Sequence, residues 1–225
     1  MTAIFVTATG TDIGKTFVAA GLIRHRRKQG KPVEALKPVV SGFDPANLVA
    51  SDPAKLLEAL GRPVNLDEIA KISPWRFRAP LSPDMAARKE GAAVDIDVVA
   101  DCCSRAAAAH RGTLFIEGVG GVMVPLDERR TVLDLMQTLG LPVLLVAGSY
   151  LGTFSHTLTA LDAIRRRGLR VLAVVVNETA ESPVPLEDTV ETIARFSHPS
   201  SAIALPRLRN ASADHPAFAR IADLL

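Results

Sequence analysis

Apolar residues fall in short continuous blocks along this chain, and longer amphipathic stretches separate them. The first block, Ala3-Ile4-Phe5-Val6-Thr7, is rich in β-branched and aromatic residues and predicts a strand. Similar blocks follow at 32–40, 114–116, 142–147, 171–176 and 202–205. Helical periods lie between them, at 17–28 with a stop near Gly30, and at about 52–60, 94–110, 131–139, 153–167 and 186–196. The strands are apolar throughout instead of alternating, as a parallel sheet covered on both faces requires. The alternation of strand and helix therefore predicts an α/β fold, a doubly wound, mostly parallel sheet flanked by helices. Only 61–93, with Pro63, Pro74, Pro80 and Pro83, has no clear period. It reads as a small insertion or as active-site loops, too short to stand alone, so one domain over 1–225 is expected.

Composition narrows the class without naming it. Apolar residues at 48% and charged residues at 22% fit a folded globular chain, and the length suffices for one core without staples. The net charge of +2 is too small to imply nucleic acid or an anionic membrane. Aromatics are 4%, with one Trp and one Tyr, which argues against platforms for stacking bases. Cys102 and Cys103 are adjacent and have no third cysteine to pair with, so a reducing compartment, the cytoplasm, is expected. No leader and no apolar run of about 20 residues suggests a membrane. The basic clusters 24–28 and 165–167 lie near helix C-termini, where the helix dipole favours cations; contact with a polyanion is the alternative. No histidine pair has metal-ligand spacing, and no Ser–His–acid order is present.

The strongest motif is Thr9-Gly10-Thr11-Asp12-Ile13-Gly14-Lys15-Thr16, directly between the first strand and the first helix. Such a turn wraps backbone N–H groups around phosphate, and the helix N-terminus adds unpaired donors. Lys15 would reach the outer phosphates and the Thr16 hydroxyl would ligate magnesium. The spacing is a variant, because the general pattern wants glycine where Thr9 stands. A dinucleotide site is disfavoured, since the second strand runs into Lys37 and not into an acidic residue.

Lys37 should face Lys15 across the strand C-termini, and two converging ammonium groups call for a bound polyanion. Ser41, in Lys37-Pro38-Val39-Val40-Ser41-Gly42, either donates to substrate or caps its turn. Asp52 opens a helix for which either Ser51 or Asp52 could be the N-cap; otherwise Asp52 serves a metal. Glu117 ends a strand ahead of Gly118-Val119-Gly120-Gly121, where a magnesium–phosphate site needs its acidic partner. Asn177 either reads a base edge or makes an Asx turn, and Pro206 would line a base pocket. The Gly148 to Ser155 loop opens a helix whose N-terminus would receive a carboxylate.

Taken in order, 9–16, 37–42, 117–121 and Asn177, with Ser82-Pro83 and Leu205-Pro206, the chain resembles dethiobiotin synthetase along essentially its whole length. The resemblance implies a P-loop NTPase-like domain that uses ATP and CO2 to close a cyclic urea on 7,8-diaminononanoate. A carbamate forms, ATP phosphorylates it to a mixed anhydride, and the second amine attacks and releases phosphate. It implies Mg2+ on Thr16, Asp52 and Glu117, Lys15 and Lys37 on the transferring phosphate and carbamate, and Ser41 near the substrate. The nucleotide would be held by Asp12, Ile13, Gly14, Lys15, Thr16, Phe17, Asn177 and Pro206, with Gly118, Val119 and Gly120 beside it. The family is a homodimer, and its partner's loop, here Leu151, Gly152 and Thr153 on to Ser155, receives part of the substrate tail.

The chain departs from the family at Ala8, where the family loop begins with glycine. A positive φ or close phosphate approach there would make Ala8 weaken ATP binding. Partition- or septum-type regulatory ATPases share the expected sheet. They resemble one another in a second loop lysine, where this chain has Gly10, and many end in a basic amphipathic tail, whereas 211–225 is short and nearly neutral. A non-catalytic nucleotide-binding scaffold and an amidoligase-type relative are further alternatives, the latter lacking a glutaminase domain here.

Overall fold

The computed structural model describes residues 2–198, 200–208 and 215–225. β1 (Thr2–Ala8) lies inside a parallel sheet completed by β2 (Val33–Leu36), β5 (Thr113–Glu117), β6 (Val143–Gly148), β7 (Val171–Asn177) and β8 (Ser201–Leu205). The strand order is β2-β5-β1-β6-β7-β8, so β1 is flanked by strands from later in the chain. The register runs Val6 against Glu117 on one side and Ala8 against Val146 on the other. The expected doubly wound, parallel sheet is present.

Continuous apolar strands are explained by burial on both faces. Ile4, Val6 and Ala8 turn toward α1 (Lys15–Lys28), α2 (Asp52–Leu60) and α9 (Pro216–Ala222). Phe5 turns the other way, toward α5 (Ile96–Ala109), α6 (Val132–Leu139) and α7 (Thr153–Arg166). α8 (Leu186–Ser197) closes the same face beside β8. Among the described residues, no helix is long and apolar enough to cross a membrane.

Three local expectations change. The block at 32–40 is not one strand: after β2 the chain turns at Lys37-Pro38, and β3 (Val39–Ser41) pairs in parallel with β4 (Trp75–Phe77) in a separate two-stranded sheet. Pro38 has no N–H for a ladder, while the Lys37 N–H donates to the Ile72 carbonyl at 2.8 Å, off the main sheet. Consequently 61–93 is ordered, with α3 (Leu66–Ile72), β4 and α4 (Pro83–Lys89). Its prolines are compatible with that order, since Pro83 sits in the first turn of α4. Finally, α9 was not predicted. Of the 211–225 tail, residues 211–214 lie outside the described residues.

Candidate active site

The glycine-containing turn expected to bind phosphate occupies residues 9–14, between the end of β1 and the first residue of α1. Gly14 is the N-cap with φ 99°, and a Cβ there would also overlap the Asn177 amide, so glycine is required twice over. Asn177 Nδ2 donates to the Ile13 carbonyl at 3.0 Å, tying the end of β7 to the turn. Asp12 holds φ 57°, the one positive φ at a non-glycine position among the described residues. Gly121 packs against the turn from the other side: a Cβ on it would lie 3.2 Å from the Gly10 Cα. The glycines after β5 therefore serve close packing of two loops as well as any ligand.

Ala8 lacks the positive φ that would make its methyl group costly there. It is a buried strand residue in register with Val146, its φ is not positive, and its carbonyl accepts from the Val122 N–H at 3.1 Å. The strain assigned to Ala8 lies four residues on, at Asp12.

Four elements converge beyond the turn. Lys37 follows β2, Glu117 ends β5, Thr16 sits in the first turn of α1 and Asp52 begins α2. Glu117 Oε1 accepts from the Thr16 hydroxyl at 2.6 Å and from Lys37 Nζ at 2.7 Å. Lys37 Nζ is also 3.2 Å from Asp52 Oδ2 and donates to the Gly118 carbonyl at 3.3 Å. Lys37 is 2% exposed and Glu117 1%. Burial works against the Lys37 charge, but Glu117 and Asp52 outweigh it and raise its pKa above the usual lysine value. Burial likewise opposes ionisation of Asp52, and Lys37 reverses this, so its carboxyl titrates below the usual range. The two carboxylates thus neutralise Lys37 directly, a contact that sequence reasoning assigned only to a metal.

Lys15 is different. Burial, then repulsion from Lys37, lowers its pKa to about 8, and its Nζ reaches back to the Gly10 carbonyl at 3.3 Å. An anion arriving there would raise the pKa again.

Asp52 is not the helix cap: Ser51 is, its hydroxyl accepting from the Ala54 N–H at 3.3 Å. The Asp52 carboxylate is free to face Lys37 and Thr16. Glu117 Oε2 is buried without a partner. One hydroxyl, one shared carboxylate and one carboxylate oxygen without a partner suit a hard divalent cation that completes its shell with water and phosphate. No cluster of three His, Cys, Asp or Glu that could cage a metal exists among the described residues.

A cleft of about 1350 Å³ opens over this cluster, larger than one small ligand needs. Asp12, Gly14, Lys15, Thr16, Phe17, Lys37, Ser41, Asp52, Val119 and Gly120 line it. Ser41 contributes a buried hydroxyl with no partner. Pro80, Leu81 and Pro83, with the polar Ser82 among them, form one wall, so part of 61–93 does reach the site. Lys55, which the sequence reading did not single out, also lines it; its only signal was its place one turn after Asp52.

Other candidates lie elsewhere. Ile13 is buried under the turn, and Gly118 offers its carbonyl to Lys37. Asn177 and Pro206 do not line the cleft; Asn177 meets Leu205, the residue before Pro206, across β7 and β8. Leu151 is 85% exposed, Gly152 caps α7 with φ 97°, and the Thr153 hydroxyl donates to the Gly148 carbonyl at 2.6 Å. None of these three lines the cleft of its own chain.

Comparison with known proteins adds an independent line. The AAA domain family matches residues 2–214. ATP-dependent dethiobiotin synthetase BioD of Acidiphilium cryptum is 50% identical over 87% of this chain and 88% of its own length. The protein of the same name from Caulobacter vibrioides is 49% identical over 93% and 94%. Among solved structures, the MinC:MinD cell division protein complex of Aquifex aeolicus aligns with a TM-score of 0.59 at 13% identity, covering 100% of this chain and 93% of that one. A ParA family ATPase from Chlorobium tepidum TLS aligns with a TM-score of 0.56 at 14% identity, covering 98% and 97%. The last two establish the sheet and helix arrangement alone.

Proposed function

The chain belongs to the ATP-dependent dethiobiotin synthetase family, and on that premise we propose that it closes the cyclic urea of dethiobiotin from 7,8-diaminononanoate, CO2 and ATP, with residues 1–225 acting as one catalytic unit. The observation that carries this reading is the pair of buried Lys37 and Glu117 joined to partly exposed Asp52, with Lys37, Asp52, Lys15 and Thr16 all lining one cleft. A diamine and CO2 form a carbamate with little help beyond proximity. The demanding step joins an anionic carbamate to the outer phosphate of anionic ATP. Cations and backbone N–H groups already in place lower that barrier without reorganising.

The roles divide as follows. The turn at 9–14 and the α1 N-terminus cradle the phosphates. Lys15 holds the transferring group, and the entering phosphates raise its lowered pKa and fix it as the ammonium. Lys37 remains an ammonium and stabilises the charge shared between carbamate and phosphate. Ser41 offers its hydroxyl to the carbamate, and Leu81 and its proline neighbours exclude water from the anhydride. The free amine then attacks the carbonyl carbon, the C–O bond to phosphate breaks, and inorganic phosphate leaves with the electron pair. No covalent nucleophile is required. Mg2+ would be held by Thr16, Asp52 and Glu117, and when bound it supplies charge neutralisation along the phosphates.

Asn177 and Pro206 hold the nucleotide from the β7–β8 end, Asn177 by keeping the turn in shape. The chain works as a homodimer in the cytoplasm, where Leu151, Gly152 and Thr153 complete the partner's substrate site. The test is phosphate release with ATP, Mg2+, bicarbonate and 7,8-diaminononanoate, each omitted in turn. Release must depend on the diamine and match the dethiobiotin formed. ATP hydrolysis indifferent to the diamine would favour a regulatory ATPase instead.

A further inference from the structure

We propose that Lys55 is a further binding residue of this site, a third cation that recognises the terminal phosphate of a nucleoside triphosphate and so distinguishes ATP from ADP. The inference rests on the phosphoryl-transfer reading above.

Asp52 divides its two oxygens between two ammonium groups. Oδ2 faces buried Lys37 at 3.2 Å, and Oδ1 faces Lys55 at 3.8 Å. These two contacts differ in kind. In the first the lysine is buried and also bound to Glu117, whereas Lys55 is about half exposed and lines the open cleft. An exposed pair at that distance holds its partner weakly. Lys55 therefore exchanges Asp52 for a stronger anion at little cost.

Its place on the helix points the same way. Lys55 is the fourth residue of α2, at the end where the helix dipole disfavours a cation. A lysine there is favoured only by an anion close by. Asp52 is one, but the Lys37 ammonium already claims that carboxylate. An outer phosphate brought against Lys15 and Lys37 would be the second, and Lys55 lines the same cleft with three rotatable donors. On the reading above, the inner phosphates sit in the turn at 9–14 and the outer one extends to the Lys15 and Lys37 ammonium groups, in the cleft that Lys55 also lines. An ADP molecule in the same turn would leave Lys55 on Asp52.

The experiment measures ATP and ADP affinities by titration calorimetry at saturating Mg2+, for the parent, Lys55→Ala and Lys55→Arg. Lys55→Ala should weaken ATP by about five- to tenfold while ADP changes by less than about twofold. Lys55→Arg should bring ATP back to within about threefold of the parent, since the charge returns. Equal losses for ATP and ADP would overturn the proposal, because a general field or a disturbed α2 does not sense the terminal phosphate. No change in either would overturn it too. The parent's own diamine-dependent phosphate release, run alongside, tests the function separately. Its failure with the affinity ratio intact would strike the synthetase reading and leave terminal-phosphate recognition standing.

Discussion

Replacing Lys37 by methionine keeps most of the side-chain volume and removes one charge from a buried pair. Lys37 Nζ and Glu117 Oε1 are 2.7 Å apart, with both side chains all but inaccessible to water. At an effective dielectric of about 20, unit charges that close attract by about 6 kcal/mol. Most of that gain is cancelled by taking both groups out of water, so the intact pair is nearly neutral for stability. Orphaning one partner is another matter. In Lys37→Met, Glu117 keeps the Thr16 hydroxyl but loses its counter-charge, at a cost of about 3–5 kcal/mol. That corresponds to a fall in melting temperature of about 6–20 °C for a chain of this size. Glu117→Gln should cost less, about 2 kcal/mol, because Lys37 retains Asp52 and the Gly118 carbonyl. The double variant leaves neither buried charge orphaned by the other. Urea unfolding of the four proteins at pH 7 should therefore give a cycle that is non-additive by about 2–3 kcal/mol in the stabilising direction. Both variants lacking Lys37 should be folded in the absence of urea and form no dethiobiotin, which separates its catalytic charge from its structural one. Additivity within about 0.5 kcal/mol would refute the coupling, and near-parental turnover in Lys37→Met would refute the catalytic role.

Three more outcomes follow from the same geometry. ATP affinity should be flat below about pH 8 and then fall by up to about tenfold per pH unit, because Lys15 loses its proton near pH 8 in the free protein and phosphate binds the ammonium form; Lys15→Arg should remove the bend, and a profile flat to pH 10 in the parent would contradict the assignment. Ala8→Gly should leave ATP affinity unchanged and cost about 0.5–1 kcal/mol in thermal or urea unfolding, since a strand residue with ordinary φ gains nothing from glycine; a clear gain in affinity would restore the idea that the methyl group obstructs phosphate. Asn177→Ala removes the bond to the Ile13 carbonyl and should weaken ATP by about fivefold, one hydrogen bond's worth, in a direct titration.

Much of the fold was legible because the relevant signals are local. Continuous apolar blocks announce strands buried on both faces, and the amphipathic stretches between them announce the covering helices. The turn at 9–16 was legible for the same reason, as its chemistry is contained in eight consecutive residues. Where reading failed, distant contacts or a single backbone group decided. The block at 32–40 has uniform strand character, yet Pro38 cannot join a ladder and Lys37 bonds to Ile72 instead, which diverts the chain into a second sheet. Asp52 and Ser51 are equivalent cap candidates on paper. The structure gives the cap to Ser51 and frees Asp52 for the cleft.

By itself, then, the amino-acid sequence determined the order of elements, the parallel sheet and the position of the turn between β1 and α1, since each depends on residues a few places apart. It also supplied two lysines and two carboxylates, but not their mutual arrangement. Thr16 and Glu117 are 101 residues apart, and Lys37 and Glu117 are 80 apart. Only the sheet, by placing β5 beside β1 and ending both at one edge, brings those groups within hydrogen-bond distance. Burial and neighbouring charge then set how tightly each holds its proton: the same residue type has its pKa raised at Lys37, against burial, by two carboxylates and lowered to about 8 at Lys15, first by desolvation and then by Lys37.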